Sequence, residues 1–142
     1  MEERRLKRGI LLPALALVLA SCGGSGSAGA FEDCGLPSPK PDVKVSDVPP
    51  EFLLEGTVVR KVTKRPRLTV IALNVPMTIT QIYNEYGRRL RPPAYRLITR
   101  ENEIFEAEIY LQREDGSIIA VQARRALCDE ASSVFVQLSH KV

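Results

Sequence analysis

From residue 57 the chain alternates apolar and polar positions at a period of two, which is how half-buried strands read. Two such runs, 57–64 and 67–75, are rich in Val, Thr, Ile and Leu and are separated by Arg65-Pro66, a turn signal. In the second run Thr69, Ile71, Leu73 and Val75 share one side, and Leu68, Val70 and Ala72 the other. A strand that is apolar on both sides is expected near the centre of its sheet. Pro76 ends that run, and the period then changes to that of a helix. Thr78 is the expected N-cap, with Gln81 completing a capping box and Met77 and Ile82 at hydrophobic-staple positions. Ile79, Ile82, Tyr83, Tyr86 and Leu90 form one stripe, while Asn84, Glu85, Arg88 and Arg89 face away. Gly87 weakens the last turns and Pro92-Pro93 forbid continuation, so the helix is expected to run about three turns.

Three further strand patterns span 95–100, 104–113 and 117–126, and a last one, 133–139, turns Val134, Val136 and Leu138 inward. The register of the hairpin between the second and third of these follows from its side chains. With Glu114-Asp115-Gly116 as a three-residue loop and Gly116 in the left-handed position, Arg113 opposes Ser117. Leu111 then faces Ile119, Ile109 faces Val121 and Ala107 faces Ala123, with Glu108–Gln122 and Glu106–Arg124 on the opposite side. A two-residue loop would set Ile109 against Gln122 and split the apolar set, because a slip of one residue exchanges the two faces. The order β-β-α-β-β-β-β predicts an α+β fold: an antiparallel sheet of about six strands with one helix on its face. Six strands span roughly 24 Å and a helix is only ~10 Å across. The sheet must therefore curl, or Phe52-Leu53-Leu54 and the proline-rich segment before it must cover the remainder, or a partner or ligand must do so.

Composition bounds the function. With 142 residues, 44% hydrophobic and 26% charged, the chain suits one globular domain, and its 6% aromatic content without tryptophan leaves the core to Val, Ile and Leu. The net charge of +3 is too small to imply a nucleic-acid binder. It is, however, unevenly spread. Residues 57–100 hold ten basic side chains (Arg60, Lys61, Lys64, Arg65, Arg67, Arg88, Arg89, Arg91, Arg96 and Arg100) against Glu85 alone. If hairpin, helix and third strand are neighbours, one edge of the domain is basic. Glu101, Glu103, Glu106 and Glu108 on the adjoining strand would partly neutralise it.

The first 21 residues read as an address. Arg4, Arg5, Lys7 and Arg8 precede a run from Gly9 to Ala20 that is too short for a permanent membrane span. The run ends in Leu19-Ala20-Ser21-Cys22, which resembles the lipobox of bacterial lipoproteins. That resemblance covers the signal peptide alone and implies cleavage before Cys22, a diacylglycerol on its thiol and acylation of the new amino group, typically by palmitate. Membrane lipid is then a partner through Cys22, and the protein faces the extracytoplasmic side of the bacterial cell envelope. Residues 23–30, Gly-Gly-Ser-Gly-Ser-Ala-Gly-Ala, read as a flexible tether. In that oxidising compartment Cys34 and Cys128 are expected to form a disulfide, the alternative being two free thiols. Pro37, Pro39, Pro41, Pro49 and Pro50 predict an extended segment, either a spacer or a strap across the domain. The expected division is a signal peptide at 1–21, a lipidated tether and proline-rich spacer at 22–55, and a small domain at 56–142.

No residues suggest catalysis. His140 is the single histidine, no Cys/His set has metal-ligand spacing, and there is neither a glycine-rich phosphate loop nor a nucleophile–base–orienter set. No enzyme activity, metal or cofactor is expected. The leading reading is a non-catalytic, lipid-anchored binding or scaffolding protein. Its expected partner surface comprises Arg60, Lys61, Lys64, Arg65, Arg67, Arg88, Arg89, Arg91 and Arg96. The matching partners are an anionic surface polymer, lipid headgroups or an envelope protein. The alternative is a carrier of a small apolar ligand in a groove lined by Ile79, Tyr83, Tyr86, Ile109 and Val121.

Overall fold

A computed structural model of the chain describes residues 31–141. Cys22 and the lipobox lie outside the described residues. Six strands form one antiparallel sheet: β1 (Val58–Arg65), β2 (Leu68–Val75), β3 (Tyr95–Asn102), β4 (Glu106–Arg113), β5 (Ile118–Arg125) and β6 (Ser132–Ser139). One helix, α1 (Ile79–Arg89), joins β2 to β3. Across the sheet the order is β1-β2-β6-β5-β4-β3. The fold class is therefore α+β, as the sequence pattern predicts.

The helix starts where its chemistry says it should. Gln81 N donates to Thr78 Oγ1 at 3.3 Å, and Thr78 N donates to Gln81 Oε1 at 2.9 Å, closing the capping box. Ile79, Ile82, Tyr86 and Leu90 are buried against the sheet, and Tyr83 packs at the margin of the core. The predicted hairpin register holds throughout β4 and β5, with Leu111 opposite Ile119, Ile109 opposite Val121 and Ala107 opposite Ala123. Gly116 adopts a φ of 80°, the left-handed turn that a residue with a Cβ resists. Asp115 Oδ1 accepts from both the backbone N and the hydroxyl of Ser117, bracing the loop.

Residues 37–54 form a strap that wraps the β1 edge. On the sheet face opposite α1, hereafter the outer face, Phe31, Cys34 and Leu36 pack with Ala131. The Cys34–Cys128 disulfide pins this start, with Cα atoms 5.0 Å apart. Lys40 N then donates to Arg60 O at 3.1 Å, beside the irregularity that interrupts β1 pairing between Val59 and Lys61. Beyond it the chain reaches the helix side. There Val48, Phe52 and Leu54 are buried in the main core, and Tyr86 Oη donates to Phe52 O at 2.8 Å. Arg89 Nη1 donates to Leu53 O at 2.8 Å. The part of the face that one helix cannot cover is thus covered by the chain's own strap. Of the two readings of the proline-rich segment, spacer or strap, the structure shows the strap, so the folded body begins before residue 56.

One sequence inference needs refinement. β2 is not central: it lies second from the β1 edge. Its two apolar sides have a different cause. Ile71, Leu73 and Val75 enter the main core. On the outer face, Ala72 is buried and Val70 half-buried beside the N-terminal segment. Asn74, on the same face, is almost fully buried and donates through Nδ2 to Pro37 O at 2.8 Å.

Candidate functional site: a cationic groove framed by the strap

The ten basic residues of 57–100 do not form one edge. β1 and β3 are opposite edges of the sheet, so Arg60, Lys61, Lys64, Arg65 and Arg67 are separated from Arg88, Arg89, Arg91, Arg96 and Arg100. Most of the second group is engaged internally. Arg88 and Arg89 pair with Glu85 at 2.5 and 3.7 Å, Arg91 Nε donates to Gly87 O, and Arg96 bonds Gln112. Arg100 lies over the Tyr83 ring, 4.7 Å from its centroid. In the first group Lys64 pairs with Asp47 of the strap at 2.9 Å. Among the described residues, Lys40, Arg60, Lys61, Arg65 and Arg67 meet no carboxylate at ion-pair distance.

Three of these five residues converge. An open groove of about 400 Å³ lies on the outer face between the strap and β1, β2 and β6. Its floor is Val70, Ala72 and Phe135, which the sheet register places side by side: Ala72 is opposite Phe135 and Val70 opposite Gln137. Its rim carries Lys40, Arg60 and Lys61, with Pro37, Ser38 and Thr63 between them. The irregularity at Arg60 has a geometric effect. It lets Arg60 and Lys61, adjacent in sequence, both line the groove, where strict alternation would send one to each face.

Arg60 lies over the Phe135 ring at 5.2 Å from its centroid. It is half-buried, donates no side-chain hydrogen bond to a protein acceptor among the described residues, and its pKa is lowered by burial. A guanidinium drawn into an apolar setting without a counter-charge gives up hydration that the oxygens of an anion would replace.

The outer face is electrically graded. At its other side Glu101, Glu103, Glu106 and Glu108 line a small depression. Tyr110 sits among them, and its pKa is raised first by the Glu108 charge, then by burial. Glu106 pairs with Arg124 at 3.1 Å and Glu108 accepts from Gln122, as the register predicts. These glutamates lie on β3, β4 and the turn between them; β5 alone separates β4 from β6 of the groove, and among the described residues none of the four meets Lys40, Arg60 or Lys61 at ion-pair distance.

Sequence reasoning found Arg60 and Lys61 but missed Lys40 and Phe135. Lys40 sits in a proline-rich stretch with no period to place it. Phe135 lies on the outward side of a strand read for its inward residues. The mixed apolar and cationic character of β1–β2 was the available signal. Compared with known protein families the chain matches none, and it is not significantly similar in sequence to any curated protein.

Proposed function

We propose that this is a lipid-anchored, non-catalytic protein of the bacterial cell envelope that binds an anionic partner through the groove of its outer face. The observation that carries the reading is the unpaired, half-buried Arg60 beside Lys40 and Lys61 over an apolar floor. The groove suits a ligand that presents a phosphate, sulfate or carboxylate next to an apolar group. The lipobox-like Leu19-Ala20-Ser21-Cys22 supports the anchor and the extracytoplasmic location.

Anilinonaphthalene sulfonate, an apolar ring system with one sulfonate, is the probe. The native protein is expected to bind it with enhanced fluorescence. The Arg60→Ser/Lys61→Ser variant is expected to bind at least about tenfold more weakly, since a hydrogen bond to a charged group contributes roughly 1.5–3 kcal/mol. Arg88→Ser/Arg91→Ser is expected to bind normally. Equal loss in both variants, or no loss in the first, would refute the assignment.

A second reading, the carrier of a small apolar ligand between helix and sheet, draws on a smaller groove of about 210 Å³ beside Leu90, Leu97 and Leu111. Four of its five expected lining residues, Ile79, Tyr86, Ile109 and Val121, are packed in the core.

A further inference from the structure

The end of the sheet from which the chain runs back towards Cys22 carries exposed apolar side chains on two turns. The β3–β4 turn presents Ile104 and Phe105, 77% and 59% exposed, and the β5–β6 connection presents Leu127 at 85%. Backbone bonds tie these turns to each other and to the N-terminal segment: Arg125 N donates to Phe105 O at 2.9 Å, and Leu127 N donates to Cys34 O at 3.0 Å. The Cys34–Cys128 disulfide adds a covalent link. Arg125 lies over the Phe105 ring at 4.3 Å and pairs with Asp129 at 2.9 Å. Gly35, in a left-handed turn at φ 72°, admits Leu127 where a Cβ would come within 2.8 Å of its Cδ1. Single exposed apolar residues are ordinary on any surface. Here three large ones occupy braced turns at one end of the molecule, with no place in either core cluster.

We propose that Ile104, Phe105 and Leu127 form a tip that docks into the lipid bilayer holding the acyl chains of Cys22. This rests on the lipid-anchored reading above. Only eight residues separate Cys22 from Phe31, and fully extended they let the anchor stand at most ~30 Å away. The tether therefore holds the tip at high local concentration against one surface, so insertion that would be weak for a free protein suffices. Lipid is favoured over a second protein as the occupant because the turns adjoin the root of that short tether. Glu103, Asp129 and Glu130 flank the tip, which fits a zwitterionic lipid surface better than a strongly anionic one. Docked this way, the domain holds its β1–β2 turn, with Arg65 and Arg67, at the end of the sheet far from the bilayer.

The chain contains no tryptophan, so a single substitution creates a clean reporter. Full-length Phe105→Trp, Ile104→Trp and Ile118→Trp proteins, purified in their native lipidated form, are reconstituted into phosphatidylcholine–phosphatidylethanolamine vesicles. A parallel set of vesicles carries brominated acyl chains. Ile118 adjoins the β4–β5 hairpin loop at the opposite end and is the control. Docking predicts a blue shift and loss of most emission to brominated lipid for both tip reporters, with the Ile118→Trp emission unchanged. Vesicle-bound protein whose tip reporters are no more quenched than the control would overturn the docking and leave the anchor standing. Protein that carries no lipid and stays off the vesicles would overturn the anchor, and the docking with it.

Discussion

Replacing Phe52 by Ala tests whether the strap is part of the core or a tie laid over it. Phe52 is fully buried and packs with its ring centroid 6.5 Å from that of Tyr86. The substitution removes the whole ring from a site walled by helix and sheet, and the β-strand backbone beneath it is too constrained to collapse into the void. Lost transfer energy and a residual cavity together cost ~3–5 kcal/mol for a buried Phe→Ala change. A domain of this size has a total stability of roughly 5–15 kcal/mol. The variant should therefore unfold in urea at a midpoint lower by ~1.5–3 M, for a slope of about 1.5–2 kcal/mol per molar. Equilibrium urea unfolding followed by far-ultraviolet circular dichroism measures this directly. Tyr86→Phe separates the packing contribution from the hydrogen bond to Phe52 O, and should cost only ~1–2 kcal/mol. A midpoint for Phe52→Ala within about 0.5 M of the parent would refute the reasoning, because it would mean that the strap packs loosely and the sheet face is stable without it.

Replacing Cys34 and Cys128 together by Ser should lower stability by up to ~4–5 kcal/mol in the chain-entropy picture, given the 94-residue separation they close; urea unfolding with and without reductant reads it. Asp115 has its pKa lowered by the two bonds from Ser117. Its contribution is therefore present above the usual carboxylate range and is lost as pH falls through the depressed value, so the difference between parent and Asp115→Ala should shrink below about pH 4. Burial raises the pKa of Tyr86, and burial with the bond to Glu51 raises that of Tyr95. Their contribution is complete below about pH 10 and declines as pH rises beyond it. Ultraviolet titration should accordingly show these phenols ionising late, together with loss of structure.

Side chains with a repeating pattern were legible in the sequence. The capping box at Thr78 and Gln81, the stripe from Ile79 to Leu90 and the register of Leu111 against Ile119 all follow from local spacing, and all appear as read. The expected pairing of Cys34 with Cys128 is present. What spacing could not supply was the route of the strap. Residues 37–50 have no period, so nothing in them says that Pro37 would cover Asn74 on one face while Val48 entered the core on the other, although Phe52-Leu53-Leu54 was one of the covers the sequence offered for the helix side. The doubly apolar β2 carried that information in disguise: its second face is apolar because the N-terminal segment lies beside it. The basic residues misled for a related reason. They are contiguous in sequence, yet the crossover helix carries the chain from one side of the sheet to the other edge. The groove is assembled from Lys40, Arg60 and Phe135, three distant segments.

Both the groove's proposed setting and the docking tip depend on a diacylglycerol at Cys22. The most direct test is the intact mass of the protein isolated from its own cells, with parallel fractionation of a Cys22→Ala variant. The account predicts a chain that begins at Cys22, carries two or three acyl chains and partitions into detergent, with the variant leaving the membrane fraction. A chain that begins at Met1, bears no added lipid mass and stays in the aqueous phase would contradict it.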